Sequence, residues 1–336
     1  MALSITNTFA QVYFTCDIPN LNITTTRSSV EVTLRLNSTI IFTGTYYASS
    51  GTVVVRDIAS IFESYYLQNN LSLGTAAIAV SDGANSASAS FTAIYCRIHC
   101  TSVAASDFLS GSFFTTALVR LTTIQCPQYL SCNLANGTHN VTIRMQVQRP
   151  NGEILPYAWV RTIYASDESV TTFDVHPADM QARAANLLNI PEAKLLSYTV
   201  SLGNRTCSFY VQHVPHSRCF LFRNIFNCQD AIAFPAETTT QLETDFSEAL
   251  VEHTLMHYDI QHTYSYETKT GELLTAQASF IEQFITSPKI QLNTPVNGQY
   301  PLVLISDYEH KISDAPGKSN TISFTWQLAD KKLKLL

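Results

Sequence analysis

The chain has 336 residues, which is enough for two or three domains of ordinary size. Hydrophobic residues make up 46% of it and charged residues only 14%, which excludes a disordered chain and is unusual for a freely diffusing, highly charged enzyme. The net charge is −6 and the cations are scattered singly, which argues against nucleic acid as a partner. There is no run of 18 apolar residues and no secretion-signal pattern at the start, so we expect neither a membrane span nor export.

Short alternating runs rich in Thr, Ser, Tyr, Phe and Val recur along the chain and predict a mainly β fold. One clear example is residues 258–267, where every second residue from Tyr258 to Tyr266 is aromatic, His or Ile. A second is residues 321–328, where four apolar side chains alternate with polar ones. Such alternation places one apolar set on a single face of each strand.

Three segments have helical spacing instead. Asp57 is expected to cap a first helix whose apolar residues from Ile58 onward fall on one side. Pro177 is expected to open a second helix, which ends before Pro191, because proline is favoured at the first helical position. The third helix is expected at 275–287, ending at a proline.

The first two predicted helices lie in similar surroundings. A Val-Thr-Leu-Arg-Leu segment at 32–36 precedes the first, a Val-Thr-Ile-Arg-Met segment at 141–145 precedes the second, and a predicted hairpin follows each. The order strand, strand, helix, hairpin therefore occurs twice, which predicts two related β-sandwich-like modules, each with a short helix. The expected domains are 1–105 (N-terminal β module), 106–124 (connection), 125–215 (second related β module) and 216–336 (C-terminal α+β domain).

The C-terminal domain begins with a Phe-rich segment at 219–226 and continues with the aromatic strand, the third helix and two final strands. This order predicts one helix lying on a sheet. Residues 314–317 have the composition of a turn, and the Lys-rich tail at 331–334 is expected to be solvated.

Histidine and cysteine side chains cluster in two places, namely His253, His257 and His262, and His213, His216 and Cys219. In the first group the predicted strand separates residues four apart by roughly 13 Å, too far for one metal, and His262 is expected to pack within the aromatic face. The second group lies in a loop at Pro215, where Cys207 or Cys228 would complete a zinc set. A plain loop is the favoured interpretation because zinc sites normally have tighter paired spacing. We expect no metal site.

Motifs for catalysis are also missing, because the chain has no Gly-x-Ser-x-Gly elbow and no glycine-rich phosphate loop. Its eight cysteines are too unevenly spaced for a disulfide scaffold, and we expect no disulfide between Cys96 and Cys100. A β scaffold can hold the two acids of a glycoside hydrolase, and the candidates are Asp230, Glu237, Glu243, Asp245 and Glu248. A solvated polar stretch at 237–248 is the favoured interpretation. We therefore expect no catalytic and no cofactor-binding residues.

The order of several motifs resembles a group of structural proteins encoded in the tail gene region of tailed bacteriophages and prophages of Bacteroides-type gut bacteria. The matching segments are 51–58 (Gly-Thr-Val-Val-Val-Arg-Asp-Ile), 91–96 (Phe-Thr-Ala-Ile-Tyr-Cys), 220–230 (Phe-Leu-Phe-Arg-Asn-Ile-Phe-Asn-Cys-Gln-Asp), 300–307 (Tyr-Pro-Leu-Val-Leu-Ile-Ser-Asp) and 320–326 (Asn-Thr-Ile-Ser-Phe-Thr-Trp). The resemblance covers nearly the whole chain and rests on the order and spacing of the motifs. It departs at Cys228, where a glycine and an acidic residue are usual.

The resemblance implies a structural virion protein at the tail tip or baseplate. Such a protein is assembled in the host cytoplasm as a ring-like homo-oligomer and links the tail tube to host-binding components. Its partners would be copies of itself and neighbouring tail proteins, with no nucleic acid, membrane, cofactor or small-molecule substrate. The low charge and the many Tyr and Phe residues suit an assembly subunit, and the strand at 321–328 is expected to extend a sheet across subunits as an edge strand.

Two other functions remain open. One is a β-rich surface adhesin or glycan-binding protein, for which Trp159, Trp326 and the clustered tyrosines would serve as stacking platforms. The other is a virion-associated glycan hydrolase. It would require a cleft that holds two carboxylates, one of them with a raised pKa.

Overall fold

The computed structural model describes residues 3–98, 102–166, 170–214, 217–234, 238–252, 254–270, 275–295, 298–311 and 321–330. Most of these residues lie in strands, and the predicted mainly β fold is confirmed. Three large hydrophobic clusters follow one another along the chain, one in each of three units. The predicted turn at 314–317 and the tail at 331–334 lie outside the described residues.

The first unit contains eight strands and one α-helix. The strands are β1 (Ser4–Ile5), β2 (Val12–Phe14), β3 (Leu21–Thr24), β4 (Ser29–Leu36), β5 (Thr39–Tyr47), β6 (Thr52–Val55), β7 (Leu73–Ser81) and β8 (Ser86–Ile94), and helix α1 (Ile58–Gln68) lies between β6 and β7. A short 3-10 turn, Thr15–Asp17, follows β2. A five-stranded sheet in the order β5-β4-β7-β8-β2 packs against the small sheet β1-β3-β6 and α1, in the manner of a sandwich.

Alternation in the sequence explains this packing. Every second residue of β4 from Val30 to Leu36 is buried, and α1 buries Ile58, Phe62 and Tyr66, which are four residues apart on one helical face. Asp57 does occupy the N-cap position of α1, but the prediction that its side chain caps the helix is wrong. Its backbone is left-handed with φ 55°, its side chain makes no capping hydrogen bond, and its N–H donates to Asn20 Oδ1 at 3.2 Å.

The second unit has the same plan. Its elements are α2 (Ala105–Gly111), β9 (Val119–Thr123), β10 (Tyr129–Asn133), β11 (Gly137–Gln148), β12 (Ile154–Ala165), β13 (Val170–Asp174), α3 (Pro177–Leu188), β14 (Lys194–Leu202) and β15 (Arg205–Gln212). A five-stranded sheet in the order β12-β11-β14-β15-β9 packs with the pair β10-β13 and α3. As predicted, Pro177 opens α3; the helix ends at Asn189, whose φ of 54° is left-handed.

The two five-stranded sheets correspond strand by strand. In each sheet, the strand that comes first in the chain is an edge strand and pairs in parallel with the strand that comes last, β2 with β8 and β9 with β15. The helix precedes the last hairpin in both units. One boundary differs from the prediction, because the expected connection 106–124 contains most of α2 and all of β9, and β9 belongs to the second sheet.

The third unit is a seven-stranded sheet with one helix. Its elements are β16 (Arg218–Arg223), β17 (Gln229–Phe234), β18 (Thr238–Val251), β19 (Thr254–Lys269), α4 (Thr275–Ile285), β20 (Ile290–Leu292), β21 (Leu302–Lys311) and β22 (Thr321–Leu328). The strand order is β17-β16-β20-β21-β22-β19-β18. Helix α4 packs on one face, where Phe284 meets aromatic rings from β16, β17 and β22. We call this the core face of the sheet and the opposite side its outer face.

Two strand predictions for this unit are wrong. The segment 321–328 is not an edge strand, because β22 pairs with β21 on one side and with β19 on the other. The stretch from Thr238 onward, interpreted as a solvated polar segment, is strand β18, which pairs with β19 along its whole length. Its side chains are largely exposed, so its sequence lacks the clear alternation of apolar and polar residues that predicts a half-buried strand.

Candidate interaction surface

A buried ion pair joins the second and third units. Arg120 on β9 and Asp230 on β17 are each about 1% exposed, with Arg120 Nη1 2.5 Å from Asp230 Oδ1 and Nη2 3.2 Å from Oδ2. Burial raises the pKa of the Asp230 carboxyl, whereas the guanidinium of Arg120 and the amide of Asn224 oppose this shift. The rings of Phe209 and Phe280 flank the guanidinium at 5.5 and 5.1 Å. Every polar atom of the pair is thus enclosed by protein, which suits a structural junction.

The segment 220–230 continues this junction towards the first unit. The ring of Phe226 lies among three other phenylalanine rings, 4.9 Å from that of Phe108. Asn227 donates from Nδ2 to the carbonyl of Leu71 at 2.8 Å, which attaches the segment to the end of α1. Asn227 also has a positive φ of 57°, a left-handed conformation that asparagine adopts more readily than most residues. The motif that carries the resemblance therefore lies where all three units meet.

Strands β18 and β19 form a long, largely exposed two-stranded ribbon. Only Tyr266–Lys269 of β19 pair with β22, and within the described residues no third strand lies beside the remainder. We call residues 239–264 the arm. From Thr239 to Val251 it is about 40 Å long at 3.4 Å per residue. An isolated two-stranded ribbon is only marginally stable in water, so a partner surface is expected.

The two faces of the arm differ in chemistry. Tyr266 is buried, and its ring stacks on Trp326 at 4.5 Å, so the alternation of the strand places Tyr264 on the same side. Tyr264 lies opposite Leu242 across the ribbon, and the ring of Phe246 contacts that of His257 at 4.7 Å. We define the apolar face of the arm by Leu242, Phe246, Leu255 and Tyr264.

Carboxylates occupy the other side. Up to Ser247, the same alternation gives this face, called the polar face of the arm, the residues Gln241, Glu243, Asp245, Ser247, Thr263 and Ser265. Nearer the tip the same face carries Met256, which lies opposite Ala249 and is 54% exposed. On the apolar face the side chains of Leu242, Phe246 and Leu255 are 53%, 54% and 63% exposed. This face continues the core face of the seven-stranded sheet beyond the region that α4 covers.

A second apolar surface lies on the outer face of the same sheet. Leu302 and Leu304 of β21 point away from α4, because their neighbour Val303 belongs to the core with Ile290 opposite it. Both leucines and the preceding Tyr300 are about half exposed, at 47%, 50% and 48%. We call these three residues the outer patch. Elsewhere on this face, the second unit covers Leu221 and Ala231 of β16 and β17.

The structure describes only some members of the two histidine and cysteine groups that were weighed as metal ligands. Within the described part of the chain, no three His, Cys, Asp or Glu side chains come close enough to hold a metal ion. His213 contacts the carbonyl of Leu195 at 2.8 Å, while His216 and His253 lie outside the described residues. His262 was expected to be packed, but it is exposed on the arm and contacts Thr244 Oγ1 at 3.2 Å.

The four described carboxylates among the five weighed for a hydrolase lie in three different places. Asp230 is held by Arg120 in the junction, Glu243 and Asp245 lie on the polar face of the arm, and Glu248 pairs with His257 at 3.5 Å near its tip. Glu237 lies outside the described residues. The described members therefore line no common cleft.

The two tryptophans are not stacking platforms. Trp326 is fully buried and donates from Nε1 to Thr268 Oγ1 at 3.0 Å. Trp159 is only partly buried, but the guanidinium of Arg183 covers its ring at 4.1 Å. Neither ring offers a free face to a sugar.

The cysteines include several inert thiols. Cys126, Cys132, Cys207 and Cys228 are free and buried, and burial raises the pKa of the last three to about 11. Such thiols are protonated and unreactive at neutral pH. Cys100 lies outside the described residues, so the absence of a bond to Cys96 stays a prediction.

A scan against models of known protein families finds no match to this chain, and a comparison with curated proteins finds none that is significantly similar. None of the described helices combines the length and the apolar character that a membrane span requires. The arm and the outer patch are thus identified as a candidate interaction surface from geometry alone. Sequence analysis had missed both, although alternate positions 240–246 do carry the Leu and Phe of the apolar face.

Proposed function

We propose that the protein is a structural subunit of a bacteriophage tail tip or baseplate, which assembles with copies of itself and links the tail tube to host-binding components. The observation that carries the proposal is the arm. A ribbon about 40 Å long that exposes four large apolar side chains, those of Leu242, Phe246, Leu255 and Met256, has little stability of its own and gains it from a neighbouring protein.

Other features support an assembly role. The charged fraction of 14% is low for a surface that faces only water. The junction of buried Arg120, Asp230 and the Phe226 cluster fixes three units to one another, as a subunit under mechanical load requires. The resemblance in the order of the motifs supplies the phage tail as the particular assembly.

The experiment has two parts. Mass spectrometry of purified virions of the phage or prophage that encodes this chain is expected to detect it in multiple copies. Imaging of the particles, with antibody against the chain, is expected to place it at the distal end of the tail. If the chain is absent from purified virions, the proposal is wrong.

A second candidate function is glycan binding, which a polar groove of about 520 Å³ between β12 and β13 favours. Tyr164 is 69% exposed at the groove, and its hydroxyl is 3.1 Å from Asn136 Oδ1. Arg161 bonds Asp174 at 2.7 Å beside it, which places planar polar groups next to an exposed ring, as saccharides require. Binding of host surface glycans that Tyr164→Ala abolishes would support this function.

A further inference from the structure

We propose that the apolar face of the arm binds the outer patch of a second copy of this chain, in a head-to-tail contact. The inference rests on the proposed function and names the surfaces through which the copies join. Each copy would donate its arm to one neighbour and receive the arm of another on Tyr300, Leu302 and Leu304.

The apolar face of the arm requires a cover. On the core face of the sheet, the aromatic residues that α4 covers are buried. Tyr266 and Phe324, for example, are 1% exposed. Only beyond the helix does the exposure rise above half, at Leu242 and Phe246. Thr244 and His262 lie between Leu242 and Phe246 on this face. The half-exposed Leu and Phe side chains contribute little to the arm itself, and their burial against another apolar surface would stabilise it.

The chain cannot provide that cover from its own outer patch. The arm extends the core face of the seven-stranded sheet, whereas Leu302 and Leu304 lie on the outer face of the same sheet. Two surfaces on opposite sides of one sheet cannot meet within a molecule. They can meet between two copies, and because the surfaces differ, the contact is heterologous and propagates into a ring or filament.

The distribution of charge permits this contact. The carboxylates of Glu243 and Asp245 lie on the polar face of the arm and stay in water when the apolar face is covered. On the apolar side the acid near the tip, Glu248, is paired with His257. Covering the stretch from Leu242 to Phe246 therefore removes no unpaired carboxylate from water, which would otherwise oppose binding.

The size of the arm favours a ring over a simple pair. A ribbon about 40 Å long and about 10 Å wide presents roughly 400 Å² on one face, from the strand rise and spacing. The outer patch spans only about 14 Å from Tyr300 to Leu304, so one contact covers part of this face and buries less than half of the 800 Å² per partner that is usual for stable interfaces. A single contact would be weak, whereas a copy in a closed ring makes two, once as donor and once as acceptor.

Single substitutions test each surface. Leu242→Glu on the arm and Leu304→Glu on the outer patch are each expected to be monomeric, by native mass spectrometry and sedimentation, at concentrations where the wild type is oligomeric. The matched control is Gln241→Glu, which introduces the same charge at the adjacent exposed position on the polar face and is expected to assemble like the wild type. Unchanged thermal unfolding of the variants excludes misfolding, because these side chains lie outside the core.

Mixing the two variants tests the head-to-tail arrangement. Leu304→Glu retains a working arm and Leu242→Glu a working patch, so an equimolar mixture can form one contact only. Because a single contact is weak, 1:1 dimers and nothing larger are expected at a protein concentration well above the one at which the wild type assembles, and a mixture that stays monomeric there contradicts the head-to-tail arrangement. If Leu304→Glu alone still dimerises, the arms bind one another and the inference is wrong. If the wild type and both variants are oligomeric, the copies join elsewhere, which overturns the inference but leaves the proposed function. A wild type that stays monomeric at every concentration overturns both.

Discussion

Arg120 and Asp230 are 110 residues apart, and no spacing rule connects them, so their ion pair was absent from the sequence predictions. The sequence analysis placed Asp230 among candidate catalytic acids because a lone acid in a β-rich chain carries no sign of its partner. Similarly, Trp326 was considered as a stacking platform under the alternative of a glycan-binding protein, although it is the largest of the fully buried side chains in the described residues. A single residue's type indicates what it can do, but its neighbours in space decide what it does.

Breaking the pair should be costly. Asp230→Asn keeps the shape of the side chain but leaves the buried guanidinium of Arg120 without its counter-charge, so we expect a loss of about 3–5 kcal/mol in the free energy of unfolding. Urea titration measures it. Asp174→Asn serves as the control, because its partner Arg161 lies at the surface with 30% of its side chain exposed, and such pairs contribute about 0–1 kcal/mol. Equal losses in the two variants would contradict the structural role of the junction.

The buried thiols predict a pH dependence. Burial raises the pKa of Cys132, Cys207 and Cys228 from 9.0 to about 11, so the unfolded chain releases these protons at lower pH than the folded chain. The contribution of each thiol to the free energy of unfolding is therefore complete below about pH 9 and is lost as the pH rises towards 11. The loss per thiol is about 1.4 kcal/mol for each unit by which the folded pKa exceeds the unfolded one. Urea midpoints at pH 8 and pH 10 measure the fall. A triple Cys→Ala variant should lose less stability over this range, and an equal loss would show that other groups are responsible.

At the scale of elements, prediction succeeded where burial imposes a period. The helices α1, α3 and α4 were predicted because apolar residues recur every three to four positions, and Pro177 fixed the start of α3. Strand β18 was missed because both of its faces are largely exposed, so its alternation is weak in hydrophobicity. The arm could not be foreseen, since nothing within the sequence of β19 says how much of it pairs with β22.

Helix α4 provides the test at this scale. Phe284 is fully buried, with its ring 5.2 Å from that of Phe220 and 5.5 Å from that of Phe324. Phe284→Ala should therefore lower the free energy of unfolding by about 3–5 kcal/mol through lost burial and a cavity. Leu187→Ala, on the exposed side of α3, should change it by less than about 0.5 kcal/mol. Calorimetry measures both, and similar effects would mean that α4 does not cover the sheet.

For the whole molecule, the arm and the body are expected to be separable. Gln241 and Ser265 lie opposite each other, so Leu242–Tyr264 can be replaced by an Asn-Gly turn that joins them. The shortened chain should unfold near the wild-type temperature, because the removed segment lies almost wholly outside the hydrophobic core, but it should not assemble. Differential scanning calorimetry and native mass spectrometry measure the two properties. A large drop in the unfolding temperature would show that the arm belongs to the core.

The parallel pairs β2 with β8 and β9 with β15 impose an order on biosynthesis. The first strand of each five-stranded sheet pairs only with the last one, so neither sheet is complete until about 80 or 90 residues from its first strand onward have left the ribosome. Residues 220–230 are synthesised after both sheets. Only then can Asp230 pair with Arg120, which belongs to the second unit. Synthesis halted before residue 230 would thus release two folded units that contact each other through Phe14 and Phe108 but lack the Phe226 ring and the Asp230 carboxylate of the junction. The nascent chain is then most exposed to proteases and to wrong partners during this interval.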